Sequence, residues 1–234
     1  MHGLKALLFD KDGTLVDFDR TWGPAAGAVM RTLAEGDGAA LVRLEEISAF
    51  VPDEARFLPT SPLVSGSSAH YGPMWAEALG QPADSAFLAR IDHLFRIEGM
   101  RSLTPIGAPA NILARLQAAG YLQAIVTNDA EANAREQMEA LGLLPYLSAI
   151  HGYDSGFGSK PGAGMVQALV TRHALDPGSV AVIGDSAHDL AAARGAGTRF
   201  ILVTSGPAPV DDLFAQADLV LDSIADLPDH LIAG

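Results

Sequence analysis

Cysteine is absent from the 234 residues. That excludes disulfides, thiolate-bound iron–sulfur clusters and a thiol nucleophile, and it fits a reducing compartment. Positive charge is scarce as well: 15 Lys and Arg face 28 Asp and Glu, for a formal net charge of −13. With no basic excess to neutralise phosphates, the composition argues against nucleic acid or an anionic membrane as partner. A small phosphorylated ligand stays open, because a bound cation and one or two local basic groups suffice to hold it. Long apolar runs are missing too. No uncharged stretch is long enough to span a bilayer, and the short N-terminal apolar run leads directly into Asp10, unlike a signal peptide. The expectation is a soluble, cytoplasmic protein. The seven His are scattered without HExxH spacing, no GxSxG elbow occurs, and no repeat is visible. Residues 156–160 resemble a phosphate-binding glycine loop superficially but lack its glycine spacing and its Lys-Ser/Thr ending.

What is present is an ordinary globular composition, 49% hydrophobic, in a chain long enough for one large domain or a core with a smaller insert. Residues 5–9 read as a short buried strand of a parallel sheet, turned at Gly13. Side chains alternate along a strand, so Asp10 and Asp12 would project from one side where it ends. Two carboxylates there repel unless a cation lies between them or one keeps its proton. Taken alone, the pair is also ordinary turn chemistry after a buried strand.

From residue 17 to 100 the texture is helical, with Trp22, Ala26, Val29, Met30 and Leu33 on one face and Phe87, Leu88, Ile91, Leu94 and Phe95 on another. Asp84 is placed to cap the second of these helices. Residues 52–72, rich in Pro, Ser and Gly, read as loop, and Ser65 to Ser68 within it as a solvated stretch. The expectation is an all-helical insert, residues 17–100, in a core made of residues 1–16 and 101–234.

Beyond Leu103 strands and helices alternate. Residues 122–126, 149–153, 180–183, 200–203 and 218–221 read as strands, and 106–119, 131–141, 161–174 and 188–194 as helices, with Pro161 opening its helix. Such alternation implies an α/β fold with a doubly wound parallel sheet. Asp10, Thr127 and Asp185 would then lie at strand C-terminal ends, the edge where open α/β sheets bind ligands.

Phe9-Asp10-Lys11-Asp12-Gly13-Thr14, Val126-Thr127-Asn128, Ser159-Lys160-Pro161 and Gly184-Asp185-Ser186-Ala187-His188-Asp189 resemble, in order, the four motifs of the haloacid dehalogenase superfamily. Within it the chain is similar to phosphoglycolate phosphatase-type members with a helical cap inserted after the first strand. The resemblance implies a Rossmann-like core and aspartyl-phosphate chemistry. Asp10 would be the nucleophile and Asp12 the acid and base. Thr127 and Asn128 would bind the phosphoryl group, and Lys160 would offset its charge. Asp185, with Asp189 directly or through water, would hold Mg²⁺ alongside Asp10 and the Asp12 carbonyl. Relatives often carry Asp-Ser where this chain has Asp17-Phe18, which leaves the substrate open. Phosphatase action on a small organic phosphate such as 2-phosphoglycolate is therefore the leading expectation, with the insert closing over the site as a lid. A phosphomutase using the same motifs is one alternative. A receiver-type signalling module is another, although Asp12 and the large insert count against it. Oligomeric state is not legible from the residues.

Overall fold

A computed structural model describes residues 3–64 and 68–232. In chain order it begins with strand β1 (Ala6–Phe9), followed by helices α1 (Phe18–Ala34) and α2 (Gly38–Ile47). Strands β2 (Phe50–Val51) and β3 (Arg56–Phe57) and helices α3 (Ser68–Leu79) and α4 (Ser85–Arg101) come next. Then follow α5 (Pro109–Ala118), β4 (Leu122–Val126), α6 (Glu131–Ala140), β5 (Ala149–His151) and α7 (Gly164–Arg172). The chain closes with β6 (Val180–Gly184), α8 (Ala187–Gly195), β7 (Arg199–Val203), β8 (Leu219–Leu221) and α9 (Leu227–Leu231). Two compact units result, one from the chain up to Asp17 and from Pro105 onward, the other from Phe18–Thr104.

The first unit is an α/β core around a six-stranded sheet in the order β5-β4-β1-β6-β7-β8, every described pair parallel. β1 and β6 are apolar along their whole length and fully buried because both sheet faces are covered. Burying each large aliphatic side chain contributes on the order of 1.5–3 kcal/mol, so Leu7, Leu8 and Phe9 alone hold β1 firmly at the centre. In register, Phe9 pairs with Ile125 on one side and Ile183 on the other. The chain runs outward from β1 through β4 and β5, then returns to lay β6, β7 and β8 on the opposite side. That reversal makes a crevice at the strand C-terminal ends, where Asp10, Thr127 and Asp185 emerge.

The second unit packs Met30, Leu33, Leu44, Trp75, Phe87 and Ile91 into its own core. Trp75 Nε1 donates to Ser48 Oγ at 2.9 Å, which satisfies two buried polar groups. The Asp84 carboxylate caps α4 by accepting from Phe87 N at 2.9 Å.

Several expectations change here. The insert is not all-helical: β2 and β3 form an antiparallel ribbon, too short for an alternating pattern to show in sequence. Helix α3 covers Ser68 to Gly72, read above as loop, and continues through Pro73, whose lost backbone donor is tolerated because Tyr71 and Trp75 are buried on its inner face. Ser65, Gly66 and Ser67 lie outside the described residues. The division between units falls after Asp17 and Thr104 rather than after residues 16 and 100. Ser102 Oγ donates to Thr21 O and Glu98 O, and Thr104 N donates to Thr21 Oγ1, so this stretch is tied to the insert. Pro161 does not open its helix; Gly162 N donates to Ser159 O in a turn, and α7 starts only at Gly164. The Lys160–Pro161 peptide bond is cis.

Candidate active site

Asp10 follows β1 directly and is buried. Its Oδ1 lies 2.7 Å from Lys160 Nζ, and the same ammonium reaches Asp189 Oδ1 at 2.6 Å. Asp189 sits in the first turn of α8, where Ser186 caps the helix. Ser186 Oγ accepts from Asp189 N and donates to Asp189 Oδ2 at 2.5 Å. Both oxygens of Asp189 are thus engaged within the protein. Asp185 directly follows β6 and completes the group: Asp10, Asp185 and Asp189, all buried, each offer a carboxylate oxygen within 4.8 Å of the others.

Three carboxylates at this spacing form three repulsive pairs, each on the order of 3–4 kcal/mol at an effective dielectric near 20. One ammonium in contact with two of them offsets only part of that. Burial pushes Asp10 up from 3.8 to about 7, with Lys160 opposing and Asp189 adding to the rise. Asp185 is raised well above the usual carboxylate range, first by burial and then by Asp10 and Asp189. Burial works against the Lys160 charge too, but its two aspartates outweigh this and raise it. A compact, all-oxygen, over-negative donor set fits a hard divalent cation.

The pH dependence has a definite sign. Between 3.8 and about 7 the folded protein holds protons on Asp10 that the unfolded chain has released, and Asp185 acts in the same direction. Stability contributed by these groups therefore falls as pH rises through that window. In protein treated with chelator, thermal melts are expected to show a lower Tm at pH 8 than at pH 5, with an added divalent cation raising Tm more at pH 8. A cation effect that is largest at pH 5 would contradict the assignment.

The remaining expected residues are also positioned from the sheet edge. Thr127, buried after β4, accepts from Asp129 N at 3.1 Å through Oγ1. Asn128 uses both ends of its side chain on the Lys160 backbone, accepting from Lys160 N at 2.8 Å and donating to Lys160 O at 2.9 Å. Its side chain therefore fixes the lysine loop. Asp12 stands outside the three-carboxylate group and turns Oδ2 onto Lys11 Nζ at 2.7 Å. Asp10 and Asp12 each therefore have their own lysine, Lys160 on Asp10 and Lys11 on Asp12.

Residue-by-residue reading missed Lys11, Ser186 and the loop after β7. Ser205 Oγ donates to Gly13 O at 2.7 Å, and a Cβ at Gly206 or at Gly13 would collide with the Asp185 carboxylate. Gly13 also has φ +76°, which disfavours any side chain there. The signal for that loop was in view, since Thr204-Ser205-Gly206 follows a strand at the same sheet edge.

A family model for haloacid dehalogenase-like hydrolases matches residues 4–197. The chain belongs to this family. Among haloacid dehalogenase-like relatives it is 31% identical to a phosphoglycolate phosphatase of Caulobacter vibrioides over 97% of this chain and 92% of that one. It is 32% identical to a phosphoglycolate phosphatase of Chromobacterium violaceum over 99% and 98% of the two chains. A solved haloacid dehalogenase family hydrolase from Deinococcus radiodurans R1, described with bound phosphate and sodium, superposes with a TM-score of 0.69 at 23% identity, covering 100% and 97%. That likeness bears on the fold. Asp10, Lys160, Asp185 and Asp189 are all gathered within the first unit. Among the described residues no helix is long and apolar enough to cross a membrane.

Proposed function

We propose that this hydrolase is a Mg²⁺-dependent phosphomonoesterase acting on a small anionic metabolite, with 2-phosphoglycolate as the first candidate. The observation that carries this reading is the buried Asp10 in contact with Lys160, beside the Asp185–Asp189 pair and two residues before Asp12. The names of the curated relatives support the substrate.

In this reading Asp10 attacks phosphorus, the bond from phosphorus to the substrate oxygen breaks, and the leaving alkoxide takes a proton from Asp12. Water then attacks the aspartyl-phosphate. Asp12 accepts its proton, the phosphorus–Asp10 bond breaks, and inorganic phosphate leaves. Lys160 favours the ionised form of Asp10 against burial and neutralises charge on the phosphoryl oxygens, while Thr127 and the backbone beside Asn128 donate to them. Asp10, Asp185 and the Asp12 carbonyl, with Asp189 directly or through water, would hold Mg²⁺, which would supply the positive charge that a dianionic phosphate needs beside these carboxylates. The net charge of −13 favours a small ligand over nucleic acid or a membrane surface. A cytoplasmic site of action is consistent with the lack of cysteine.

The test is steady-state phosphate release with Mg²⁺ over 2-phosphoglycolate, sugar phosphates, nucleotides and a phosphopeptide. Many turnovers are expected, with the highest kcat/KM on 2-phosphoglycolate and none in excess chelator. Isomerisation of a sugar phosphate without phosphate release would establish a mutase instead. A single phosphorylation without turnover would point to a receiver.

A further inference from the structure

Lys11 lies between the two aspartates of the first motif and is completely buried. A fully buried lysine is uncommon and carries a desolvation cost that an apolar side chain would avoid. The hydrolysis described above gives it no task, yet its surroundings are specific. An ammonium has three N–H donors, and three acceptors meet this one: Asp12 Oδ2 at 2.7 Å, Gln137 Oε1 at 2.7 Å and Asp129 Oδ2 at 3.1 Å.

Two of these acceptors are anchored on α6. Gln137 is a buried residue of that helix. Asp129 stands just before it, with Oδ1 accepting from Ala130 N at 2.7 Å and Oδ2 from Asn133 Nδ2 at 2.6 Å. The third acceptor, Asp12, is part-exposed, with 24% of its side chain accessible. Lys11 is therefore a strut between a helix that is fixed and a carboxylate that has to exchange protons. Its backbone is held independently, since Lys11 O accepts from Leu15 N at 2.8 Å and Val16 N at 2.9 Å. The turn after β1 does not need the ammonium.

We infer that Lys11 is a positioning residue for Asp12: by binding Oδ2 it fixes the orientation of the carboxyl group for proton exchange. This rests on the reading of Asp12 as the acid and base. The atoms balance as in that reading. The Asp12 proton goes to the leaving alkoxide, and a proton from the attacking water returns to Asp12 as the phosphorus–Asp10 bond breaks. Lys11 itself gives up and gains nothing.

The experiment compares a poor leaving group, 2-phosphoglycolate, with a good one, p-nitrophenyl phosphate, whose phenolate departs without a proton. Lys11→Met keeps the unbranched shape and removes the donors. Expected is a kcat on 2-phosphoglycolate lower by about 10²-fold, within the range of acid–base contributions, with KM little changed. On p-nitrophenyl phosphate the first-turnover burst is expected to stay within a few-fold of wild type, while steady turnover slows and phosphorylated Asp10 accumulates. Asp12→Asn is expected to show the same pattern more strongly, and adding Lys11→Met to it is expected to cost little more.

Equal loss of the first-turnover rate on both substrates with Lys11→Met, or additive losses in the double variant, would overturn the inference even if Asp12→Asn behaves as expected. If Asp12→Asn shows no dependence on the leaving group, it is the acid–base assignment of Asp12 that fails, and the Lys11 inference falls with it. Should Lys11→Met not fold, Asp129→Asn loosens the same strut, with the same signature expected at smaller size. A uniform loss there overturns the inference too.

Discussion

Asp10→Asn is expected to lower turnover by roughly 10⁴-fold or more, the scale on which removal of a nucleophile acts, while leaving the fold intact. The amide keeps the shape of the carboxylate and cannot form the acyl-phosphate. It also removes one of three crowded negative charges that lie within 4.8 Å of one another. Lys160 loses one partner but keeps Asp189 Oδ1 at 2.6 Å, so no buried charge is left unpaired. In chelator at pH 8 the variant is therefore expected to melt at or above the wild-type temperature, and the gain in Tm from Mg²⁺ should shrink. Phosphate release and paired melts measure both halves. Turnover within tenfold of wild type would mean that the nucleophile lies elsewhere.

Lys160→Met is expected to damage stability and activity together. Here the change leaves Asp10, Asp185 and Asp189 with no ammonium in contact, and breaking a buried ion pair from one side costs about 3–5 kcal/mol. At 2–4 °C per kcal/mol for a chain of this size, a Tm lower by roughly 10 °C follows. The loss has a pH signature. Lys160 is held above its ordinary value and stays charged throughout the working range, so the aspartates set the slope. Below about 7 Asp10 increasingly holds a proton, and the variant should recover toward wild type near pH 5 and lose most near pH 8. Mg²⁺ should restore part of the Tm at pH 8 without restoring turnover, because Lys160 also faces the charge of the phosphoryl group. Melts at the two pH values decide it; an unchanged Tm at pH 8 would show that the cluster does not depend on this ammonium.

The alternating core was legible because parallel strands covered on both faces read as near-continuous apolar runs, as residues 6–9 and 180–183 do throughout and residues 122–126 do apart from Gln123. The insert was less so. Strands of two residues, such as Phe50–Val51, carry no period, and Gly72 and Pro73 hide a helix whose formation depends on burial of Tyr71 and Trp75. The start of α7 was misplaced because proline suits the first turn of a helix, while here residues 159–162 close a turn of their own.

For the site, the division follows the range of the forces. Residue type and local spacing by themselves determined where carboxylates can stand, because a strand end or a first helical turn fixes a side chain within a few residues of its own backbone. Asp10, Thr127 and Asp185 were placed at the sheet edge in this way, while Lys160 and Asp189 entered only through the resemblance to the four motifs. Only the tertiary structure decided which charges pair, since burial and Coulomb energy depend on distance across the fold rather than along the chain. Lys160 serves Asp10 and Asp189 at once, and the adjacent Lys11 and Asp12 meet through a cage that α6 completes from far down the chain.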